Sequence, residues 1–185
     1  MKKITLICGH PNLSISVGNK LILAELQAHF GEKINIRQLD SLYPNAHFDV
    51  AAEQASLVEA DIIVWQFPMY WYNVPALLKK WIDDVLLHNF AYGSKGDKLQ
   101  GKKLILSFTT GGGADEYDGN HAHKINAFYP AFMDTAKLCG MDWQEPVYSH
   151  SVLYIEGVSR VEDLPKVQAI AKEHAKRLIA RLESL

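Results

Sequence analysis

Apolar residues along this chain form two alternating textures. Short unbroken runs, Ile4 to Cys8, Ile62 to Phe67 and Leu104 to Thr109, stop abruptly at Gly9, Pro68 and Thr110-Gly111, as strands buried on both faces do when a loop breaks them. Between the runs lie segments of helical spacing. Val17 to Phe30 places Leu21, Ile22, Ala24, Leu26 and Ala28 for a helix, with Gly31 where a C-terminal cap belongs. Ala51 to Ala60 reads as a second, short helix. Pro75 can open a third, running to about Leu87, with Leu77, Leu78, Trp81, Ile82 and Val85 on one face. Further helices are expected over Ile125 to Cys139 and Pro165 to Leu182, with a short strand at Ile34 to Leu39 and a fifth strand within Val147 to Ile155. Alternating strands and helices imply right-handed crossovers and a mostly parallel sheet covered on both faces. Such sheets bind ligands beyond the carboxyl ends of their strands, so the loops after the first, third and fourth strands are the ones to read.

At 185 residues, 48% of them apolar, the chain is expected to form one domain over 1–185. Nineteen Lys and Arg stand against 21 Asp and Glu, a net charge of -2, which supplies no basic field for nucleic acid. Small molecules or proteins are the expected partners. Cys8 and Cys139 lie in apolar segments, too far apart in sequence for a metal cluster and too few for a disulfide framework. The opening apolar run is too short for a signal peptide and no stretch approaches a membrane span, so a cytoplasmic protein is expected.

The first loop, His10 to Asn19, gathers Ser16, Val17, Gly18 and Asn19 at the start of a helix. Free backbone N–H groups, the helix dipole and the hydroxyls could cradle a phosphate there; Ser16 would serve equally as a plain helix cap. G-x-G-x-x-G is missing, which favours one phosphate monoester over a dinucleotide. The third-strand loop, Pro68, Met69, Tyr70, Trp71, Tyr72, Asn73, can wall a flat ring, or plug a hydrophobic contact. After the fourth strand, Thr109, Thr110, Gly111, Gly112 and Gly113 leave backbone N–H groups unobstructed for negative charge developing on such a ring, though a flexible turn would look the same. Beyond them Tyr117, His121 and His123 could share or relay a proton. His121 and His123 face opposite ways at their spacing, so no metal site is expected.

These stretches together resemble the NAD(P)H dehydrogenase (quinone) family of flavodoxin-like proteins. The resemblance rests on His10-Pro11 with Ser16 and Asn19, Ala51-Ala52-Glu53-Gln54, Ala60 to Met69, Trp71 to Lys79, Trp81-Ile82-Asp83, Ala91-Tyr92-Gly93 and Thr109 to Gly113. It implies a flavodoxin-like three-layer sandwich with a five-stranded parallel sheet of order 2-1-3-4-5. It also implies a homodimer and two-electron, ping-pong transfer from NAD(P)H through a flavin to quinones. By position, His10 and Ser16 to Asn19 would hold the phosphate, Pro68 to Tyr72 the ring, and Thr109 to Gly112 its polar edge. Tyr117 and His123 resemble the family's relay pair, with His121 the alternative. The compact length looks like that of the FMN-binding members, with FAD as the other flavin. Arg37 and Arg160 are candidates for a nicotinamide 2′-phosphate by charge alone.

Some relatives that look like this chain are ancillary subunits of glutathione-gated potassium-efflux antiporters, which would place it peripherally at the inner face of the cell membrane. A one-electron carrier of the flavodoxin type is the third reading. It is disfavoured because carriers dock through a strongly acidic face, whereas the charge here is nearly balanced.

Overall fold

The computed structural model describes residues 2–185. In chain order the elements are β1 (Ile4–Cys8), α1 (Val17–Phe30), β2 (Ile34–Gln38), α2 (Leu39–Leu42), α3 (Val50–Glu59), β3 (Ile62–Pro68), α4 (Ala76–Val85), β4 (Lys103–Thr109), α5 (Pro130–Leu138), β5 (Asp142–Trp143), β6 (Val147–Ser149) and α6 (Leu164–Ser184). The sheet is parallel and ordered β2-β1-β3-β4-β5, with β6 also paired to β4. This is the expected flavodoxin-like order. Strand order reverses between β1, whose successor β2 lies on one side, and β3 on the other, and the crevice opens at their carboxyl ends.

Every residue of β1 and β3 is buried, which explains their largely apolar composition, broken only by Thr5 and Gln66. The two faces carry separate cores. Ile7, Ile63, Trp65, Phe67, Leu106 and Phe108 point toward α3, α4 and α5 and pack with Leu57, Leu78, Trp81 and Ala136. Ile4, Leu6, Val64 and Ile105 point the other way, onto Ile22 and Leu26 of α1 and Ala171, Ala175 and Leu178 of α6. Glu53 ties the first core's rim together. Its buried carboxylate accepts from Arg37 Nε at 3.0 Å and Nη2 at 2.5 Å, Tyr43 Oη at 2.8 Å and Trp81 Nε1 at 2.9 Å, so Arg37 is committed to a structural ion pair. Arg160 likewise pairs with Asp163.

Two expectations need correcting. The strand expected within Val147 to Ile155 is present as β6, and Ser151, at φ +57°, turns the chain out of the sheet immediately after it, but the sheet has six strands rather than five, because the two-residue β5 precedes β6 beside β4. The helix expected over Ile125 to Cys139 is divided. A 3₁₀ turn spans Ile125–Phe128, and Pro130, with no N–H to continue the ladder, begins α5. Both cysteines are buried and unpaired, and burial pushes the Cys8 thiol up to about 12. Among the described residues, no helix is long and apolar enough to cross a membrane.

Candidate functional site

The loops after β1, β3 and β4 meet over one cavity of about 380 Å³, lined by His10, Ser16, Val17, Gly18, Asn19, Pro68, Met69, Tyr70, Thr109 and Gly111. Ten of the expected ligand-binding residues therefore share a wall. Ser16 caps α1, its Oγ accepting from Asn19 N at 3.2 Å. The cap and the phosphate reading coexist, because the other first-turn N–H groups have no intrahelical acceptor. Gly18 is a steric necessity. A Cβ there would collide with Val152 Cγ1, and Val152 belongs to the segment that lids this end.

His10 is buried, and its Nδ1 accepts from Asn12 N at 3.1 Å. That bond leaves Nε2 as the ring donor of a neutral imidazole. Burial lowers its pKa, partly offset by the Asp40 carboxylate. The ring of His10 stands edge-on to Tyr70 at 6.4 Å.

Four expected residues lie outside the cavity. Tyr70 and Asn73 exchange backbone hydrogen bonds of 2.9 and 3.0 Å, closing a tight turn with Trp71 at φ +49° and Tyr72 at φ +63°. Two left-handed residues in succession are the signature of a primed turn, usually Asn-Gly; with a Trp and a Tyr the strain is about 1–3 kcal/mol per residue. The turn throws Trp71 into solvent, 93% exposed, and lays Tyr72 flat on Phe128 at 5.6 Å and 17°. Gly112 and Thr110 lie just beyond the cavity wall. A Cβ on Gly112 would meet the Glu116 carboxylate, whereas one on Gly111 would meet Leu153 at 3.3 Å.

Tyr117 and His123 share no hydrogen bond. Each instead packs edge-on against Phe128, at 6.4 and 6.5 Å. His123 lines a neighbouring cavity of about 360 Å³ with Tyr72, Gly119, Asn120, His121, Ala122 and Phe128. His121 is drawn toward Asp118, which accepts its backbone N–H at 3.0 Å and lies 3.3 Å from its Nδ1. Those and the Asn120 backbone bond hold the Asp118 carboxyl down at about 2. The imidazole that meets Tyr117 is His150, stacked at 5.1 Å and 30°, with its Nδ1 2.9 Å from Thr110 Oγ1. Burial raises the Tyr117 pKa and lowers that of His150. At neutral pH the phenol is therefore protonated and the imidazole neutral.

Sequence reasoning missed His150 as a site residue, and also the segment Val152, Leu153, Tyr154 and Ile155, which completes the cavity wall. Its apolar run reads as a strand. The only departure from strand signals, Ser149 and His150, marks where the chain leaves the sheet.

The order of the strands and the crevice at their carboxyl ends define a flavodoxin-like protein, and the chain belongs to that family: the family model described as "Flavodoxin-like fold" matches residues 2–179. The glutathione-regulated potassium-efflux system ancillary protein KefF of Klebsiella pneumoniae (strain 342) is 41% identical over 176 residues, covering 95% of this chain and 94% of that protein. KefF of Salmonella newport is 40% identical over 177 residues, covering 96% of each. Among solved structures, general stress protein 14 of Treponema denticola in complex with FMN has a TM-score of 0.83 at 34% identity, covering 96% of this chain and 98% of that one. An NADPH-quinone reductase from P. pentosaceus has a TM-score of 0.76 at 26% identity, covering 96% and 97%.

Proposed function

We propose that this chain holds FMN in the crevice and transfers two electrons as a hydride from NAD(P)H to quinones or similar electron-poor aromatics, in a homodimer. The observation that carries the reading is the meeting of three loops in one cavity, whose lining combines the Ser16, Asn19 and Thr109 polar groups with the Met69 and Tyr70 side chains. Its volume falls within the roughly 300–1,000 Å³ of small-molecule sites. Ser16 and Thr109 supply hydroxyls beside the α1 N-terminus, Met69 and Tyr70 the ring wall, and Gly111 the unobstructed polar edge. An FMN-bound relative at 34% identity and an NADPH-quinone reductase neighbour support it. The bound flavin supplies reversible hydride chemistry; the protein supplies placement and protons. His10 donates through Nε2. Tyr117, a protonated phenol just after the glycine loop, would be the proton donor, and His150, His123 and His121 the imidazoles from which it could be resupplied.

The test is spectral. The purified protein is expected to show oxidised-flavin absorbance, to bleach in one two-electron step when NADH or NADPH is added without air, and to recover with a quinone. Failure to bind supplied FMN or FAD would refute the reading.

Similarity to KefF over 95% of the chain favours a second role alongside the first: ancillary subunit of a glutathione-gated potassium-efflux antiporter, acting from the cytoplasmic face. Potassium efflux through such an antiporter, measured with and without this chain, tests it; unchanged efflux would count against it.

A further inference from the structure

Polar side chains, buried from Ser149 to Asn19, cross the α1/α6 face of the sheet in an unbroken line. The line starts at Arg177 on α6, whose Nη2 donates to Tyr148 O at 2.9 Å and to Ser149 Oγ at 2.7 Å. His174, one turn earlier and 0% exposed, sits between two hydroxyls, its Nδ1 3.0 Å from Ser149 Oγ and its Nε2 2.8 Å from Ser107 Oγ. Ser107 donates to Oε1 of Gln66, its register partner on β3, at 2.5 Å. Gln66 Nε2 donates to Asn19 Oδ1 at 2.8 Å. Asn19 Nδ2 then donates to Thr109 Oγ1 at 3.2 Å and Ser16 Oγ at 3.4 Å, and both hydroxyls border the crevice.

Arg177 sets the direction of this line, because a guanidinium can only donate. Ser149 Oγ accepts from it, so the Ser149 hydrogen needs an acceptor of its own, and the His174 Nδ1 lone pair is in reach. With Nδ1 bare, Nε2 carries the ring hydrogen and donates to Ser107, which frees the Ser107 hydrogen for Gln66. The amide groups of Gln66 and Asn19 continue the same sense. Reversal would make Ser149 accept from both Arg177 and His174 with its own hydrogen unpaired in a buried layer, which is costly. Burial, and secondarily the Arg177 charge, push the His174 pKa down to about 3, in keeping with a neutral ring.

In the forward sense the donors are paired until the line reaches the crevice. Among the described residues, the hydroxyl hydrogens of Ser16 and of Thr109, itself 1% exposed, have no protein acceptor. The cavity lining contains no Lys or Arg. We propose that His174 and Arg177 are positioning residues for a phosphate monoester in the crevice: the hydrogen-bond line from the guanidinium aims the Ser16 and Thr109 hydroxyls at the anion. Aligned bonds polarise one another, and the α1 N-terminus adds its dipole in the same place. The proposal rests on the flavin reading above and adds to it the means by which a crevice without a cation grips a phosphate.

The experiment compares FMN with riboflavin, which lacks the phosphate, by fluorescence titration of the full chain and of the Ser107→Ala and Arg177→Met variants. The wild type is expected to prefer FMN. Each variant should lose about tenfold of that preference, the scale of one charge-assisted hydrogen bond, with riboflavin affinity unchanged. A loss of packing alone would weaken both flavins equally, so an unchanged preference in the variants overturns the positioning role. Equal binding of both flavins by the wild type overturns the phosphate assignment, and binding of neither overturns the flavin reading itself. Independently of any flavin, ¹⁵N NMR of the wild type should show His174 protonated at Nε2 and bare at Nδ1. Protonation at Nδ1 would reverse the line and refute the proposal.

Discussion

Acid should destabilise this fold through His174 before any carboxylate is involved. The residue is wholly buried against Ser107 of β4 and Ser149 of β6, neither of which titrates, and the charge nearest it is Arg177 on its own helix. Its folded pKa, about 3, lies below the 6.5 of an ordinary imidazole. Between these values the unfolded chain binds a proton that the folded chain refuses, so stability is complete above pH 6.5, falls as pH falls, and stops falling near pH 3. Each unit within that window costs up to about 1.4 kcal/mol. Integrated from pH 7 to pH 5, the loss is about 2 kcal/mol, a large fraction of the few kcal/mol by which small proteins are stable. Urea unfolding at the two pH values measures it directly. His10 and His150 are depressed in the same direction, so the comparison must be with His174→Gln, which keeps those residues and lacks the buried imidazole. The variant will be less stable at pH 7, and its drop on going to pH 5 should be smaller than that of the wild type by about 2 kcal/mol. Equal drops in the two proteins would show that His174 accepts its proton in the folded state and would refute the reasoning.

Glu53→Gln should cost about 3 kcal/mol or more in urea unfolding, because a carboxylate saturated by Arg37, Tyr43 and Trp81 would be replaced by an amide that turns an N–H toward a donor; a change below about 1 kcal/mol would show the ion pair to be dispensable. Gly18→Ala puts a methyl into Val152 and must displace the 152–155 segment, so FMN affinity by fluorescence titration should fall about tenfold or more; undiminished affinity would remove that segment from the site. Gly111→Val should weaken flavin binding more than Gly112→Val, since the first faces Leu153 at the cavity and the second the far end of the Glu116 side chain outside it. In stopped-flow reduction by NAD(P)H, His150→Gln is expected to slow the step more than His123→Gln while leaving flavin bound, because His150 is the ring stacked on Tyr117; the opposite order would restore His123 as the relay partner.

Much of the fold was legible because burial on both faces leaves a plain mark. β1, β3 and β4 are apolar runs with loops at both ends, and α1 is bracketed by a capping Ser16 and by Gly31. What could not be read was the far edge of the sheet. β5 has two residues and β6 three, too few for any period to register. The apolar Val152 to Ile155 run has strand composition, yet the left-handed turn at Ser151 carries it across the crevice. Composition records that those side chains avoid water; it does not record whether a neighbouring strand or a ligand cavity supplies the shelter.

The site divides in the same way. Positions at strand ends follow from topology, so ten of the expected residues line one cavity. Tyr72 and Tyr117 were expected near them, but their partners Phe128 and His150 come from segments that no local pattern joins to them. His174 shows the limit most clearly. Its helical spacing with Val167, Ala171, Leu178 and Leu182 puts it on the buried stripe of α6, which was readable. Gln66 and Ser107 sit within apolar runs where any inward position is buried. Each is unremarkable alone, a polar residue that must find a partner somewhere. Only the register that sets Gln66 beside Ser107, and the packing that lays α6 over both, turns three isolated buried polar groups into one directed line. Its direction then follows from a single surface arginine that cannot accept a hydrogen bond.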